Sequence, residues 1–359
     1  MTDKIFKRIK VVEFSSVLAG PAVGMFFAEL GATVIKIENK NGGDLTRSWK
    51  QPGEPATLNI SAYYHSVNWN KKVVFLDLKN EKDREQAFEE LKDAEIMISN
   101  FKSGDDVKFG LDPASLKKQF PSLIIAIIKG FVDSDRLAYD AVLQAETGFM
   151  SMNGTPESGP LKMPVALIDL LAAHQLKEGI LCAMIHRMKS GKGSIVETSL
   201  YESALAPLAN QAANWLNNKM VPGLSGSLHP NIAPYGEVFY SEDNFQFIIA
   251  AGTDQQFIRL CGVIDLPELL VDLRFTKNTE RVIHRKILAE ILQQKFSKLS
   301  WEEIFKKLNA EKIPAGKIMN IKQVFESTSA AEMILVQNES DGSISKRVKT
   351  VAFTLQEYD

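Results

Sequence analysis

Asp169 is the residue of this chain whose setting best suits covalent chemistry. In KMPVALIDLLAAHQLKEGILCAMIHRMK (162–189) it is the sole acid before Glu178. A short apolar approach, Val165 to Ile168, leads to it, and Leu170, Leu171, Ala173, Leu176, Ile180, Leu181, Met184 and Ile185 recur behind it at helical spacing. Position alone leaves two readings open. An Asp directly before an apolar helix is an ordinary N-cap that accepts a first-turn N–H. The same N–H groups and the helix dipole would hold a half-buried carboxylate ionised against the upward push of desolvation. An ionised, poorly hydrated carboxylate is a usable nucleophile.

The elements that must position Asp169 are legible as alternating strands and helices. Val11 to Phe14 reads as a buried strand, SSVLAGP (15–21) as a loop, Ala22 to Leu30 as a helix and Thr33 to Glu38 as the next strand. Pro21 suits a first helical turn and Gly31 the position just past a helix end. VVFLDL (73–78), the charged helix 81–94, EIMISNF (95–101), a short helix at Pro113 to Gln119 and LIIAIIKG (123–130) continue the pattern. Such alternation predicts a parallel, doubly wound sheet covered on both faces. After the long helix come the strand SIVETSL (194–200) and an Ala- and Leu-rich helix at Tyr201 to Lys219. A turn-rich boundary (221–236), a hairpin turning at Ser241 to Asn244 and a helical stretch to Leu308 follow. The expected organisation is a large α/β domain (1–200), a linker helix (201–220), a smaller α+β domain (221–315) and a segment (316–359) returning to the large domain.

In open sheets of this kind, ligands bind beyond the carboxyl ends of the strands. The loops there carry Leu18-Ala19-Gly20-Pro21, Gly42-Gly43-Asp44-Leu45-Thr46-Arg47, Lys79, Lys102 with Lys108, and Lys129-Gly130-Phe131, a basic set on one rim. GGDLTR reads equally as a phosphate loop or as a surface turn. Glu38 stands 18 residues after Gly20, near the usual place of a ribose-binding acid. The loop lacks GxGxxG, however, so a dinucleotide pyrophosphate could not approach the backbone in the usual way. His65, His174, His186, His229 and His284 are dispersed without HExxH or CxxC partners, so no metal site is expected. A GxSxG nucleophile elbow is also missing.

Composition narrows the field further. The 359 residues are 45% apolar and 24% charged, ordinary for about two globular domains. A net charge of −2 gives no basic footprint for nucleic acid. Cys182 and Cys261 sit among apolar neighbours and read as buried thiols in a reducing compartment. The N-terminus lacks the apolar core of a signal peptide, and no apolar run could span a bilayer. A cytoplasmic protein without a membrane partner is expected.

A series of segments in register resembles the family III CoA-transferases, the group of the formyl-CoA and carnitine enzymes and the 2-methylacyl-CoA racemases. These segments are VLAGPAVGMFFAELGATVIKIENKNGGDLTR (17–47), NKKVVFLDLK (70–79), NFKSGDDVKFGL (100–111), YDAVLQAETGFMSMNG (139–154), PVALIDLLAAHQLKEGILCAMIHRMKSGKG (164–193) and IAPYGEVF (232–239). The resemblance implies a large open doubly wound (Rossmann-like) domain plus a smaller α+β domain, with two subunits interlocked as rings in a homodimer. It implies that Asp169 is the nucleophile. It places coenzyme A, as acyl-CoA co-substrate and without a metal, along Leu18, Ala19, Arg47, Leu76, Leu78, Lys79, Asn100, Phe101, Lys102, Lys108, Lys129, Gly130 and Phe131. Gly226, His229 and Tyr139 are expected on the substrate side.

Lys108 stands where the family often has Arg, Leu18 where the formyl-CoA enzymes have Gln, and GLSGSLHPNIAPYG in place of their Gly-rich loop. The family's usual C-terminal segment is expected to be missing. The implied activity moves CoA from an acyl-CoA to a carboxylic acid through an aspartyl anhydride and an aspartyl-CoA thioester. Backbone N–H groups of the helix start or the 226–236 loop would stabilise each oxyanion. An acyl-CoA epimerase and a CoA-binding protein with Asp169 as a mere cap are the alternatives. The racemases carry His where this chain has Tyr139, and a phenol is a poor base at neutral pH.

Overall fold

The computed structural model describes residues 5–55, 60–339 and 341–356. The first four residues of the expected large domain and the last three of its return segment lie outside the described residues. The chain divides into two compact units, one of Met1–Gly148, Lys162–Asn210 and Thr328–Asp359, the other of Phe149–Leu161 and Gln211–Ser327.

The first unit is built on β1 (Lys10–Glu13), α1 (Ala19–Glu29), β2 (Thr33–Asn39), β3 (Lys71–Leu76), α2 (Glu81–Lys92) and β4 (Ile96–Ser99). It continues through α3 (Pro113–Gln119), β5 (Ile124–Lys129), α4 (Asp140–Glu146), α5 (Leu167–Ser190), β6 (Ile195–Ser199) and α6 (Leu200–Leu205). The six strands form one sheet in the order β3-β2-β1-β4-β5-β6, and every neighbouring pair is parallel. This order reverses between β1 and β4, as in doubly wound dinucleotide-binding sheets. β4 is buried at all four positions, and β1 at its last three. Such unbroken burial marks strands covered on both faces.

All of α1 is buried. Gly24 is required there, since a Cβ would collide with the Glu13 carboxylate on β1. The glycines of LAGPAVG thus serve close helix–strand packing. Gly31 takes φ 93° after the helix end, as its position predicts.

The second unit contains a three-stranded sheet of β7 (Tyr235–Tyr240), β8 (Gln246–Ala250), and a strand from after its helices. These are α7 (Asp254–Val263), α8 (Arg285–Phe296) and α9 (Trp301–Ala310), followed by β9 (Ala315–Lys317). The sheet is antiparallel in the order β9-β8-β7. Phe239, Phe247, Phe257, Phe275 and Phe296 fill its core. The chain then contributes the hairpin β10 (Ile334–Asn338) and β11 (Ile344–Val348) to the first unit.

Three expectations about the chain's course are corrected. The linker helix 201–220 is not one helix. Leu200–Leu205 ends at a 3-10 turn over Ala206–Leu208, where Pro207 removes a backbone donor, and Ala209–Asn218 is a separate helix. The second unit also includes 149–161 and extends to Ser327, beyond the expected 221–315. Cys182 is exposed, whereas Cys261 is buried as expected.

Candidate active site

The reversal of strand order leaves the loops after β1 and β4 side by side, and one side chain joins them. Asn100 accepts the Ser16 N–H through Oδ1 at 3.0 Å and donates from Nδ2 to the Ser16 carbonyl at 3.0 Å. A buried ionic cluster beneath holds the same loop. Lys36, fully enclosed, reaches Glu13 at 2.9 Å, Asp44 at 3.1 Å and the Ser15 carbonyl at 2.7 Å. Lys71 adds a second contact to Glu13 at 2.8 Å.

Burial works against the Lys36 ammonium, but the Glu13 and Asp44 carboxylates outweigh it and raise its pKa. Asp44 in turn accepts the Val17 N–H at 3.2 Å. Val17 is held at φ 74°, a left-handed conformation unusual for a β-branched residue. Strain of this kind persists only where the surroundings over-determine it.

Asp169 lies in the first turn of α5, but it is not the cap. The helix begins at Leu167, and the Ile168 N–H goes to Asp140 Oδ1 at 2.8 Å. The other oxygen of Asp140 accepts from Gln144 Nε2 at 2.7 Å. Among the described residues Asp169 has no hydrogen-bond or ion-pair partner for its carboxyl group. The expectation that helix amides keep it ionised is therefore corrected. Burial first, with the charge of Asp140 adding to it, pushes its carboxyl up to about 7.

Two cavities meet at Asp169. One, of about 740 Å³, follows the strand ends and is lined by Leu18, Ala19, Asn100, Phe101, Lys102, Lys129, Gly130, Phe131 and Tyr139, nearly the rim read from sequence. The other, of about 830 Å³, runs along α5 past Tyr63, Tyr139, Asp140, His174 and Lys177 to Lys349 and Thr350. Sequence reasoning missed Tyr63, Lys177 and the tail residues. The signal for Lys177 was a charge among the apolar positions of α5. Burial, then Asp169 and Asp140, pushes the Tyr63 phenol up to about 12, so it remains a donor.

Several expected CoA contacts are otherwise engaged. Arg47 pairs with Glu38 at 2.6 Å, donates to the Tyr64 hydroxyl at 2.7 Å and lies over the Tyr64 ring. This also uses Glu38, the acid a dinucleotide would need. Leu76 belongs to the core beneath β1 and β2, and Leu78 packs against it. Lys129 meets Glu197 at 2.5 Å, and Lys108 lies 4.0 Å from Asp105. Lys79 is exposed. Arg47, Leu76, Leu78, Lys79 and Lys108 are absent from the lining of the strand-end cavity among the described residues. Lys102 lines it without an ion pair among the described residues.

Three of the expected oxyanion amides are engaged within the fold. In the second unit the Gly226 N–H bonds the Gly154 carbonyl at 2.7 Å, and the His229 N–H the Tyr235 carbonyl at 3.0 Å. In the first unit the Leu167 N–H bonds the Val165 carbonyl at 2.8 Å.

A parallel sheet whose order reverses beside a lone, half-buried carboxylate defines an α/β protein with a site at its switch point. The family model for CoA-transferase family III matches residues 6–357, and the chain belongs to that family of enzymes. It is 36% identical to the succinate–glutarate CoA-transferase of Agrobacterium fabrum, over 95% of this chain and 87% of that protein. It is 31% identical to the human succinyl-CoA:glutarate CoA-transferase, over 96% of this chain and 78% of that one. The acetyl-CoA:oxalate CoA-transferase of Acetobacter aceti is 31% identical over 92% and 85%. Among solved structures, a CaiB/BaiF family protein of Brucella suis superposes with a TM-score of 0.83 at 33% identity, over 99% of this chain and 94% of that one. No helix among the described residues is long and apolar enough to cross a membrane.

Proposed function

We propose that this enzyme transfers CoA from an acyl-CoA to a small carboxylic acid through covalent intermediates on Asp169, as an interlocked cytoplasmic homodimer. The observation that carries the chemistry is Asp169 itself, a carboxylate without partners among the described residues at the meeting of two cavities. The strand-end cavity suits CoA: Lys102 offers a charge with no ion pair among the described residues, and Gly130 and Phe131 line the cavity beside it. The relatives' substrates and the family's CoA chemistry support the reading.

The Asp169 carboxylate attacks the thioester carbonyl, the C–S bond breaks, and a mixed anhydride and CoA thiolate result. The thiolate attacks the Asp169 acyl carbon, releasing the donor acid and leaving an aspartyl-CoA thioester. The acceptor carboxylate displaces the thiolate to form a second anhydride. Thiolate attack on the acceptor carbonyl then yields the new acyl-CoA and restores Asp169. Splitting one transfer into such steps is the advantage of covalent catalysis. The Tyr63 hydroxyl, kept protonated beside Asp169, is the donor placed to stabilise the oxyanions. Mass spectrometry after hydroxylamine trapping tests this: acyl-CoA should produce a hydroxamate at Asp169, and turnover with Asp169 unmodified would remove it as nucleophile.

A further inference from the structure

Three lysines that the transfer steps do not use line the cavity along α5, Lys162, Lys177 and Lys349, and only Lys177 is buried. Lys177 is 7% exposed, among the most buried charged residues of the helix. Its ammonium lies 5.1 Å from the centre of the Phe26 ring and has no hydrogen-bond or ion-pair partner among the described residues. Burial lowers its pKa, with Glu29 acting in the opposite direction. Glu29 is engaged elsewhere, accepting the Thr350 N–H at 2.7 Å and the Val351 N–H at 3.0 Å. An ammonium left unpaired at a buried position is costly unless an anion or water joins it.

The row Asp169, Ala173, Lys177 follows the i, i+4, i+8 ridge of α5, and all three residues line the same cavity. At 1.5 Å per residue the two charged ends are about 12 Å apart along the axis, and a helical lysine leans back toward the N-terminus, closing part of that span. Leu170, Ala22 and Val67 supply apolar walls between the ends, and His174 lies one turn from Lys177 on the same cavity. A carboxylate reacting at Asp169 would thus have an apolar passage behind it that ends at a cation.

We infer that Lys177 receives the second carboxylate of a dicarboxylic acid whose first carboxylate exchanges CoA at Asp169. This rests on the CoA-transfer reading above; the relatives' named acids are dicarboxylic, and the inference adds the residue that selects them. A monocarboxylic acid of equal length would leave Lys177 unpaired, which gives discrimination through an unsatisfied buried group.

The test compares succinate with butyrate, and glutarate with pentanoate, in wild type, Lys177→Met and Lys177→Arg. Each acid is measured as acceptor in CoA transfer and by calorimetric binding to the enzyme. Lys177→Met should raise the KM and Kd of the dicarboxylates about 10- to 100-fold, the worth of a charge-assisted hydrogen bond. The monocarboxylates should change little, and Lys177→Arg should recover much of the preference. Equal effects on both acid types, or none, would make Lys177 an ordinary core lysine balanced by Glu29 and overturn the inference. Lys177-dependent succinate binding without any CoA transfer would uphold the carboxylate site at Lys177 and overturn the exchange at Asp169.

Discussion

The Asp140 carboxylate accepts the Ile168 N–H at 2.8 Å, so the helix bearing Asp169 is capped from 28 residues upstream. One acid thus satisfies a helix-end amide, and its neighbour in space is left without a partner among the described residues. The division fits their chemistry. A capping carboxylate is held by its hydrogen bonds, whereas an unpaired one is free to form and break a covalent bond.

Asp169→Asn should abolish CoA transfer and keep the fold, because the cap belongs to Asp140. It should also stabilise the protein at neutral pH. With its folded pKa near 7, Asp169 binds more protons folded than unfolded between about pH 4 and 7, so wild-type stability falls as pH rises through that window. Removing the group should add about 1 to 2 kcal/mol at pH 8, after discounting for water in the cavity, and little at pH 4. Thermal melts at the two pH values check this. Equal melting shifts at both would show that Asp169 carries no such proton.

The pH profile of kcat/KM should rise through an apparent pKa near 7 as Asp169 becomes a carboxylate. In Asp140→Asn that limb should move to lower pH, since a like charge is gone. The shift should be partial because burial is the larger cause. A limb that stays in place would assign it to another group.

The strand and helix alternation was legible because hydrophobic periodicity is local, and Asp169 stood out because its surroundings are apolar. The strand-end cavity was legible for Leu18, Ala19 and 100–102, which follow from sheet order. Arg47 misled: its loop position suggested a free cation, but Glu38 on the adjacent strand and Tyr64 close around it. The same limit hid Asp140, whose partner is distant in sequence, and the tail residues that reach the α5 cavity. Glu13 and Lys36 carried a readable signal, charges inside otherwise apolar parallel strands, which called for a buried partner.

That misreading yields a comparison. Arg47→Ala should lower stability by about 2 kcal/mol by taking the guanidinium from the buried Glu38, which keeps the Tyr64 hydroxyl and the Asp44 N–H as donors. Lys102→Ala should leave the melting temperature unchanged and raise the KM for acyl-CoA with kcat preserved, an effect that weakens with salt. If Arg47→Ala changed only that KM, its pair with Glu38 would not be structural.

Lys36→Met should be among the most damaging substitutions outside the cavities. It leaves Glu13 and Asp44 without their shared cation and should cost about 3 to 5 kcal/mol. Denaturant titration checks the loss. Because Asp44 holds Val17, the surviving folded fraction should also transfer CoA more slowly. A variant with wild-type stability would show that the cluster's charges are met by water.

Transfer and epimerisation separate in deuterated water. Moving a proton across the carbon next to a thioester needs two groups of suitable pKa, one on each face of that carbon. Tyr139 lines both cavities with Asp169, at the position where the racemases of this family carry His, and brings no imidazole there. His174 shares a cavity with Asp169, and burial disfavours its protonated form. Yet the two residues lie five positions apart on one helix, about 140° around its axis, so their side chains diverge and do not flank a single carbon. Acyl-CoA incubated with enzyme should therefore show no α-deuterium by mass spectrometry, while an added dicarboxylate is converted to its CoA ester. Rapid deuterium uptake without transfer would reverse the assignment, and loss of that uptake in His174→Ala would name the base.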